Sequence, residues 1–285
     1  MSQPIPTEPV SVVIPVLVAG DYVGPALRNW STGLERLHVP YELLVVDDGT
    51  NEEFTAKLAG EVPKLPHARL LRHDLPQGFG ACLRTALPET QHPLFFYTSL
   101  DYPYAPVDLG KLLTRIAHTD EYLKRQLDVV SGCRTGRPVP GVWRVMGQGF
   151  RGFSRFALGL PLDPLPGWLG FHEHLRSWIV WLLFGDPLTD PNSAFKLFRK
   201  SVFDKFPIQC DGQFVHVELI AKATFITCLM DELPLTPKPD PLPAVPWGEF
   251  WKVLRDPKFT SPTLLEPTPT PPETAVTPEP PSITL

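Results

Sequence analysis

Short apolar runs punctuate the first half of the chain at nearly regular intervals. Residues 10–16 (VSVVIPV), 41–47 (YELLVVD), 68–72 (ARLLR), 94–98 (LFFYT) and 127–131 (LDVVS) are rich in Val, Leu and Phe. Their near-continuous apolarity suits strands covered on both faces. Between them, residues 22–37, 52–59, 79–87 and 106–117 space their apolar positions with the helical period. Strand centres recur every ~30 residues, the span of a βαβ unit. The pattern predicts an α/β fold, a mostly parallel Rossmann-like sheet covered by helices. In such sheets ligands sit beyond the carboxyl ends of the strands, so chemistry is sought in the residues just after each run.

The second half is less regular. Residues 141–160 and 172–184 can each form a helix, separated by a Pro/Gly-rich break, and 214–224 reads as another helix leading into a strand at 225–233. Beyond Asp256 come nine prolines among many Thr and Glu, with few large apolar residues. Such a composition cannot bury enough surface to offset chain entropy, so a disordered Pro-rich C-terminal tail is expected. The organisation read from these shifts is 8–140, 141–256 and a tail at 257–285.

Composition narrows the function classes. With 43% hydrophobic and 20% charged residues among 285, the chain can bury a core. A net charge of −5 argues against a nucleic-acid binder that works by neutralising phosphates. The 36 prolines, more than twice the usual ~5%, belong in loops, edges and tails. Four cysteines (Cys82, Cys133, Cys210 and Cys228) are far apart and form no CxxC pair, which suits a reducing cytoplasm better than a disulfide framework or a zinc site. The longest strongly apolar run, at 178–184, is far short of the ~20 residues a transmembrane helix needs. The first residues lack the basic and apolar regions of a signal peptide. A cytoplasmic protein is expected, with peripheral contact at the inner face of a membrane left open.

Three places invite chemistry. The second run ends in Asp47-Asp48-Gly49-Thr50, where two carboxylates can reach a ligand crevice or cap a solvated turn. The fourth ends in Thr98-Ser99-Leu100-Asp101, and Asp101 can offer hard oxygen ligands to a divalent cation or act as a helix cap. Gly78-Phe79-Gly80 opens a predicted helix, where bare backbone can approach an anion or simply turn. It is no dinucleotide fingerprint, because GxGxxG belongs after the first strand, where Pro15-Val16-Leu17-Val18 stands instead.

Taken in order, these segments resemble family 2 glycosyltransferases of the GT-A fold, and within them the polyprenyl-phosphate branch typified by dolichol-phosphate mannose synthase. VSVVIPV is similar to that family's first strand, YELLVVDDGT to its nucleotide-contacting strand, GFGACLRTAL to its glycine-rich helix start and SLDYPYAPVDL to its DxD segment. DVVSGCR, DPNSAFKLFRKSVF and FVHVELIAKA with MDELPL resemble the later strand and the acceptor-side motifs. The resemblance spans roughly residues 10–235. It implies a nucleotide-diphosphate sugar donor bound through Pro15, Asp47, Asp48, Gly49, Gly78 and Gly80. It implies Mg²⁺ or Mn²⁺ on Asp101, Arg134 facing a donor or acceptor phosphate, and Asp190 positioning or deprotonating the acceptor, a lipid phosphate or a glycan. Glu218 would orient basic groups or be a charged helix position.

The chain also departs from that pattern. Ser99 stands where the first DxD acid belongs, Leu17-Val18-Ala19 replaces Tyr-Asn-Glu, Ala194 replaces a glycine, and no Arg-x-Gly-x-Ser-Lys element follows Leu235. Two readings follow: a metal-assisted inverting glycosyltransferase, or a catalytically inactive GT-A protein that binds a nucleotide sugar through a degenerate DxD motif. A nucleotidyltransferase would want a basic glycine-rich loop after the first strand, which is absent. Trp178, Trp181 and Leu182 share a helical face suited to a bilayer surface or to a buried core. His172 and His174 have no further ligand cluster nearby, so a zinc role is not expected.

Overall fold

The computed structural model describes residues 8–100, 104–119, 124–134, 190 and 193–235. The predicted helices at 141–160 and 172–184, with Trp178, Trp181, Leu182, His172 and His174, lie outside these residues, as do the tail and Asp101.

Among the described residues seven strands form one sheet: β1 (Val10–Val16), β2 (Tyr41–Asp48), β3 (Ala68–His73), β4 (Leu94–Tyr97), β5 (Val129–Arg134), β6 (Lys196–Arg199) and β7 (Met230–Leu235). Their order is β3-β2-β1-β4-β6-β5-β7. Only β6 runs antiparallel, to both β4 and β5. The five described helices are α1 (Val23–Arg36), α2 (Glu52–Glu61), α3 (Phe79–Glu89), α4 (Pro106–Ile116) and α5 (Val215–Phe225).

Every residue of β1 and β2 is buried, as their unbroken apolar runs predict, whereas the edge strand β3 is only partly covered. One face carries Phe96 and Phe195, on which Trp30 of α1 packs with ring centroids 5.9 and 6.3 Å away. The other carries Phe95, Tyr97 and Phe198, with Phe79 of α3 edge-on to Tyr97 at 5.9 Å and His216 of α5 stacked on it at 5.6 Å.

Buried polar side chains close the amino edge of the sheet. Glu42 accepts from Ser11 Oγ (2.5 Å), Arg69 (2.8 Å) and the Gln91 N–H (2.6 Å), tying β1, β2, β3 and the start of β4 together. Burial pushes this carboxyl up, but those hydrogen bonds and the Arg69 charge outweigh it and hold the group below the usual carboxylate range.

Most predicted elements recur within one to three residues. The strand expected at 225–233 starts only at Met230, because α5 runs on through Phe225 and Thr227 then turns the chain at φ +57°. β6 was not anticipated. Four residues, two of them charged, give too short a pattern to read, and its register is set by β4 and β5 on either side.

Gly80 shows how closely the layers approach. A Cβ there would lie 2.1 Å from the Cys210 carbonyl oxygen, a backbone atom with no rotamer to escape into. Gly80→Ala is expected to cost about 1–3 kcal/mol, read as a lower melting temperature. An unchanged Tm would contradict this packing.

Candidate functional site

Strand order reverses between β1 and β4. From β1 the chain steps outward through β2 to β3, then returns to place β4 on the other side of β1. That reversal opens a crevice beyond the carboxyl ends of β1 and β4, where open α/β sheets take their ligands. The β1–β4 register ends at Val13 and Tyr97, and the Thr98 N–H donates to the Val13 carbonyl at 3.1 Å. Residue 15 shares the parity of residue 13, so its nitrogen faces β4 beyond the last ladder bond. A proline fits there without leaving a partner unpaired. Pro15 thus stands where the ladder ends and the crevice begins.

The carboxyl edge gathers most of the predicted residues. Val16 is level with Asp47 and Asp47 with Arg72, while Asp48 is level with His73. Ser99 and Leu100 follow β4, and the first residue of antiparallel β6, Lys196, meets Tyr97 at this same edge. Arg134 ends β5 opposite Leu235. Asp190 is buried, and its N–H donates to Glu232 Oε1 at 2.9 Å. Lys196 is fully buried and donates to the Ser193 carbonyl oxygen.

Asp47 and Asp48 point to opposite faces of β2, as successive strand residues must. Asp47 is fully buried. Its Oδ1 accepts from the Thr50 N–H (3.1 Å) and hydroxyl (2.7 Å), and Oδ2 accepts from Thr55 of α2 at 2.6 Å. The two carboxylates are thus buried, while the turn itself, Gly49 and Thr50, is half-buried. The helix cap falls to Asn51, whose Oδ1 accepts from the Phe54 N–H at 2.9 Å. Gly49 turns the chain at φ +66°, where a side chain would strike the Leu75 and Pro76 backbone.

Asp48 faces α3. Its Oδ1 accepts from the Gln77 N–H at 2.9 Å and Oδ2 from the Gly78 N–H at 2.8 Å, while His73 Nδ1 lies 2.8 Å from Oδ1. A carboxylate only accepts, so Nδ1 carries the proton between them. In the neutral ring Nε2 then accepts from the Thr85 hydroxyl at 2.8 Å. Burial pushes the Asp48 carboxyl up, but hydrogen bonds from His73, Gln77, Gly78 and Cys82 prevail and hold it below its ordinary value. Burial, reinforced by the Asp48 charge, drives the Cys82 thiol far up.

Asp48, His73 and Cys82 place their ligand atoms within 4.8 Å of one another, a group that could hold a metal ion. The sequence gave no sign of it, because the three are 25 and 9 residues apart. Its donors suit a softer ion than Mg²⁺ or Mn²⁺, and a metal would need the thiolate that burial opposes. These donors therefore do not suit the Mg²⁺ or Mn²⁺ expected on a diphosphate, and Asp101, the residue expected to hold that cation, lies outside the described residues.

Gly78 and Gly80 give a different answer from a simple anion cradle. Gly78 has φ +103°, and the close approach each glycine permits is to the Asp211 and Cys210 carbonyl oxygens, 2.5 and 2.1 Å from a built Cβ. The start of α3 is thus pinned between Asp48 and the segment leading into α5. Glu218, read as either an orienting acid or a plain helix position, is buried against Lys222 at 2.6 Å.

Comparison with known proteins supplies the class. The model of the family described as Glycosyl transferase family 2 matches residues 11–206. This chain belongs to that family. Glucosyl-3-phosphoglycerate synthase from Mycobacterium tuberculosis, solved with Mn²⁺, UDP and phosphoglyceric acid, is similar at 16% identity and a TM-score of 0.56, over 87% of this chain and 75% of its own. The same enzyme with Mg²⁺ and UDP is similar at 15% identity and a TM-score of 0.54, over 85% and 74%. A further mycobacterial protein is similar at 16% and 0.56, over 84% and 69%. At such identities the likeness is one of fold, and that fold is GT-A. Among curated proteins no relative matches. No helix among the described residues is long and apolar enough to cross a membrane.

The depressed Asp48 carboxyl predicts a pH dependence. A folded value below the unfolded one contributes stability above the unfolded carboxylate range, ~4, and loses it as pH falls through the folded value. Asp48→Asn should therefore be less stable at pH 7, by about 1–3 kcal/mol, and lose less on acidification than the unsubstituted protein. Parallel melting curves from pH 7 to pH 3 would show that Asp48 does not carry this dependence.

Proposed function

We propose that this protein transfers a glycosyl group from a nucleoside-diphosphate sugar to a phosphate-bearing acceptor, with a polyprenyl phosphate as the leading candidate. The observation that carries the reading is the convergence on one sheet edge, beside the β1–β4 switch point, of Pro15, the Asp47–Gly49 turn, the glycine start of α3 and Ser99, within the span that matches the family.

The division of labour we propose combines the family resemblance with the placement of these residues along the sheet edge. Asp47 and Asp48 are buried and occupied by N–H and hydroxyl donors, so they hold rigid the turn that meets the base and ribose, and direct contact with either carboxylate requires that turn to open. Asp101, two residues beyond Ser99, supplies the carboxylate that holds Mg²⁺ or Mn²⁺ on the diphosphate. When bound, that cation offsets the charge developing on the leaving diphosphate. Arg134, at the end of β5, meets a phosphate of donor or acceptor. Asp190 positions the acceptor oxygen or takes its proton, and direct displacement at the anomeric carbon inverts its configuration. A phosphate-bearing acceptor agrees with the resemblance to polyprenyl-phosphate enzymes and with the phosphoglyceric acid held by a protein of the same fold.

The second reading, a binding protein without turnover, is favoured by Ser99 and by the missing Arg-x-Gly-x-Ser-Lys element after Leu235. The Ser99 hydroxyl can at most hydrogen-bond a metal-bound water, leaving one carboxylate fewer on the cation.

A panel of UDP- and GDP-sugars, assayed with and without Mn²⁺ against a polyprenyl phosphate and against phosphoglyceric acid, tests the proposal. Metal-dependent transfer to either supports glycosyl transfer and names the acceptor. Nucleotide binding without transfer to either selects the second reading. Two substitutions refine it. Asp101→Ala should abolish metal-dependent nucleotide binding in calorimetry, and unchanged affinity would remove Asp101 from the metal site. Ser99→Asp restores a charge two positions before Asp101 in the sequence, where the family pattern has its first acid, so it should tighten Mn²⁺ binding and preserve or raise turnover. Weaker donor binding instead would mean that the site is built around the hydroxyl.

A further inference from the structure

Residues 207–211 form no helix or strand, yet their backbone is held from both sides. From α5, Glu218 Oε1 accepts the Gln209 N–H and Oε2 the Cys210 N–H, each at 2.8 Å. Lys222 Nζ donates to the Pro207 carbonyl (2.7 Å), Gln209 Oε1 (2.8 Å) and Glu218 Oε1 (2.6 Å), using all three ammonium donors. Both side chains are 1% exposed. From α3, Arg84 reaches the Ile208 carbonyl (3.2 Å) and the Asp211 carboxylate (2.5 Å), and the Ala81 N–H donates to the Asp211 carbonyl (3.1 Å). Through the close approaches at Gly78 and Gly80, this segment sets where α3 begins.

A buried ion pair is a poor source of stability, since apolar residues of the same volume often do as well. What apolar residues cannot do is grip two consecutive amides and a carbonyl. We infer that the Glu218–Lys222 pair is a positioning device for the donor nucleotide: it fixes segment 207–211, which holds the glycine start of α3 against Asp48. Neither residue touches the nucleotide, and the inference rests on the proposed donor site at this edge.

Calorimetric titration with UDP and GDP in the presence of Mn²⁺, below the melting transition of each variant, tests it. Apparent affinity scales with the fraction of molecules in the competent arrangement, so a segment held in place a tenth of the time weakens binding about tenfold. Lys222→Met is expected to lose about that much, with faster hydrogen exchange at residues 209–211 and 78–81. In transfer assays KM for the donor should rise while kcat at saturation holds. Arg84→Ala removes the outer grip from an exposed position and provides a variant that does not disturb the buried pair. It should weaken nucleotide binding in the same direction, by about threefold. Unchanged affinity in both variants, with exchange at 209–211 accelerated, would overturn the positioning role while leaving the donor site intact. If the unsubstituted protein binds neither UDP nor GDP, the donor-site reading falls, and this inference with it.

Discussion

One buried carboxylate organises the donor-side edge of this protein. Asp48 accepts two backbone N–H groups at the start of α3 and an imidazole N–H from β3, while being 3% exposed. Those donors outweigh the cost of burial and keep the group ionised. The consequence is positional: the end of β2, the end of β3 and the first turn of α3 cannot move independently while the carboxylate is charged. Asp47 does the same for the opposite face, fastening the turn to α2. A pair of adjacent acids thereby ties two helices to one strand end.

The rest of the site builds on that fixed corner. β1 ends beside it, with Pro15 at the point where the ladder to β4 stops, and β4 delivers Ser99 and Leu100 to the other side of the crevice. Antiparallel β6 inserts between β4 and β5, so its first residues, not its last, meet this edge. That reversal brings Lys196 and Ser193, with Asp190 ahead of them, to the end where the parallel strands finish. Buried charge is concentrated here and beneath the 207–211 segment. Proteins tolerate such costly groups where geometry matters more than stability.

Strand and helix identities were legible because they rest on local apolar period. VSVVIPV and YELLVVDD are buried at every position, so nothing interrupts their pattern. The ordered series of motifs likewise pointed to family and fold. What the sequence could not display were pairings across long separations. His73 is an unremarkable strand-end residue until Asp48, 25 positions earlier, gives its Nδ1 a partner. Glu218 and Lys222 look like a solvent-facing i, i+4 pair, and only the 207–211 backbone explains their burial. Gly78 and Gly80 were read as letting bare backbone approach an anion or as a simple turn, and the close approach that the structure shows is to the protein's own backbone at Asp211 and Cys210. β6 escaped because four residues hold too little periodicity to stand apart from a turn.

The account stands or falls on where the cation and the diphosphate lie. Amide NMR spectra recorded during titration with UDP or GDP and trace Mn²⁺ would locate both, since the paramagnetic ion broadens the signals nearest to it. The account predicts the strongest broadening at residues 98–100 and at Leu17, with nucleotide-induced shifts at 47–50 and 77–80. Broadening centred instead on Asp48, His73 and Cys82 would place the metal in the buried cluster and contradict a donor site at the β1–β4 crevice.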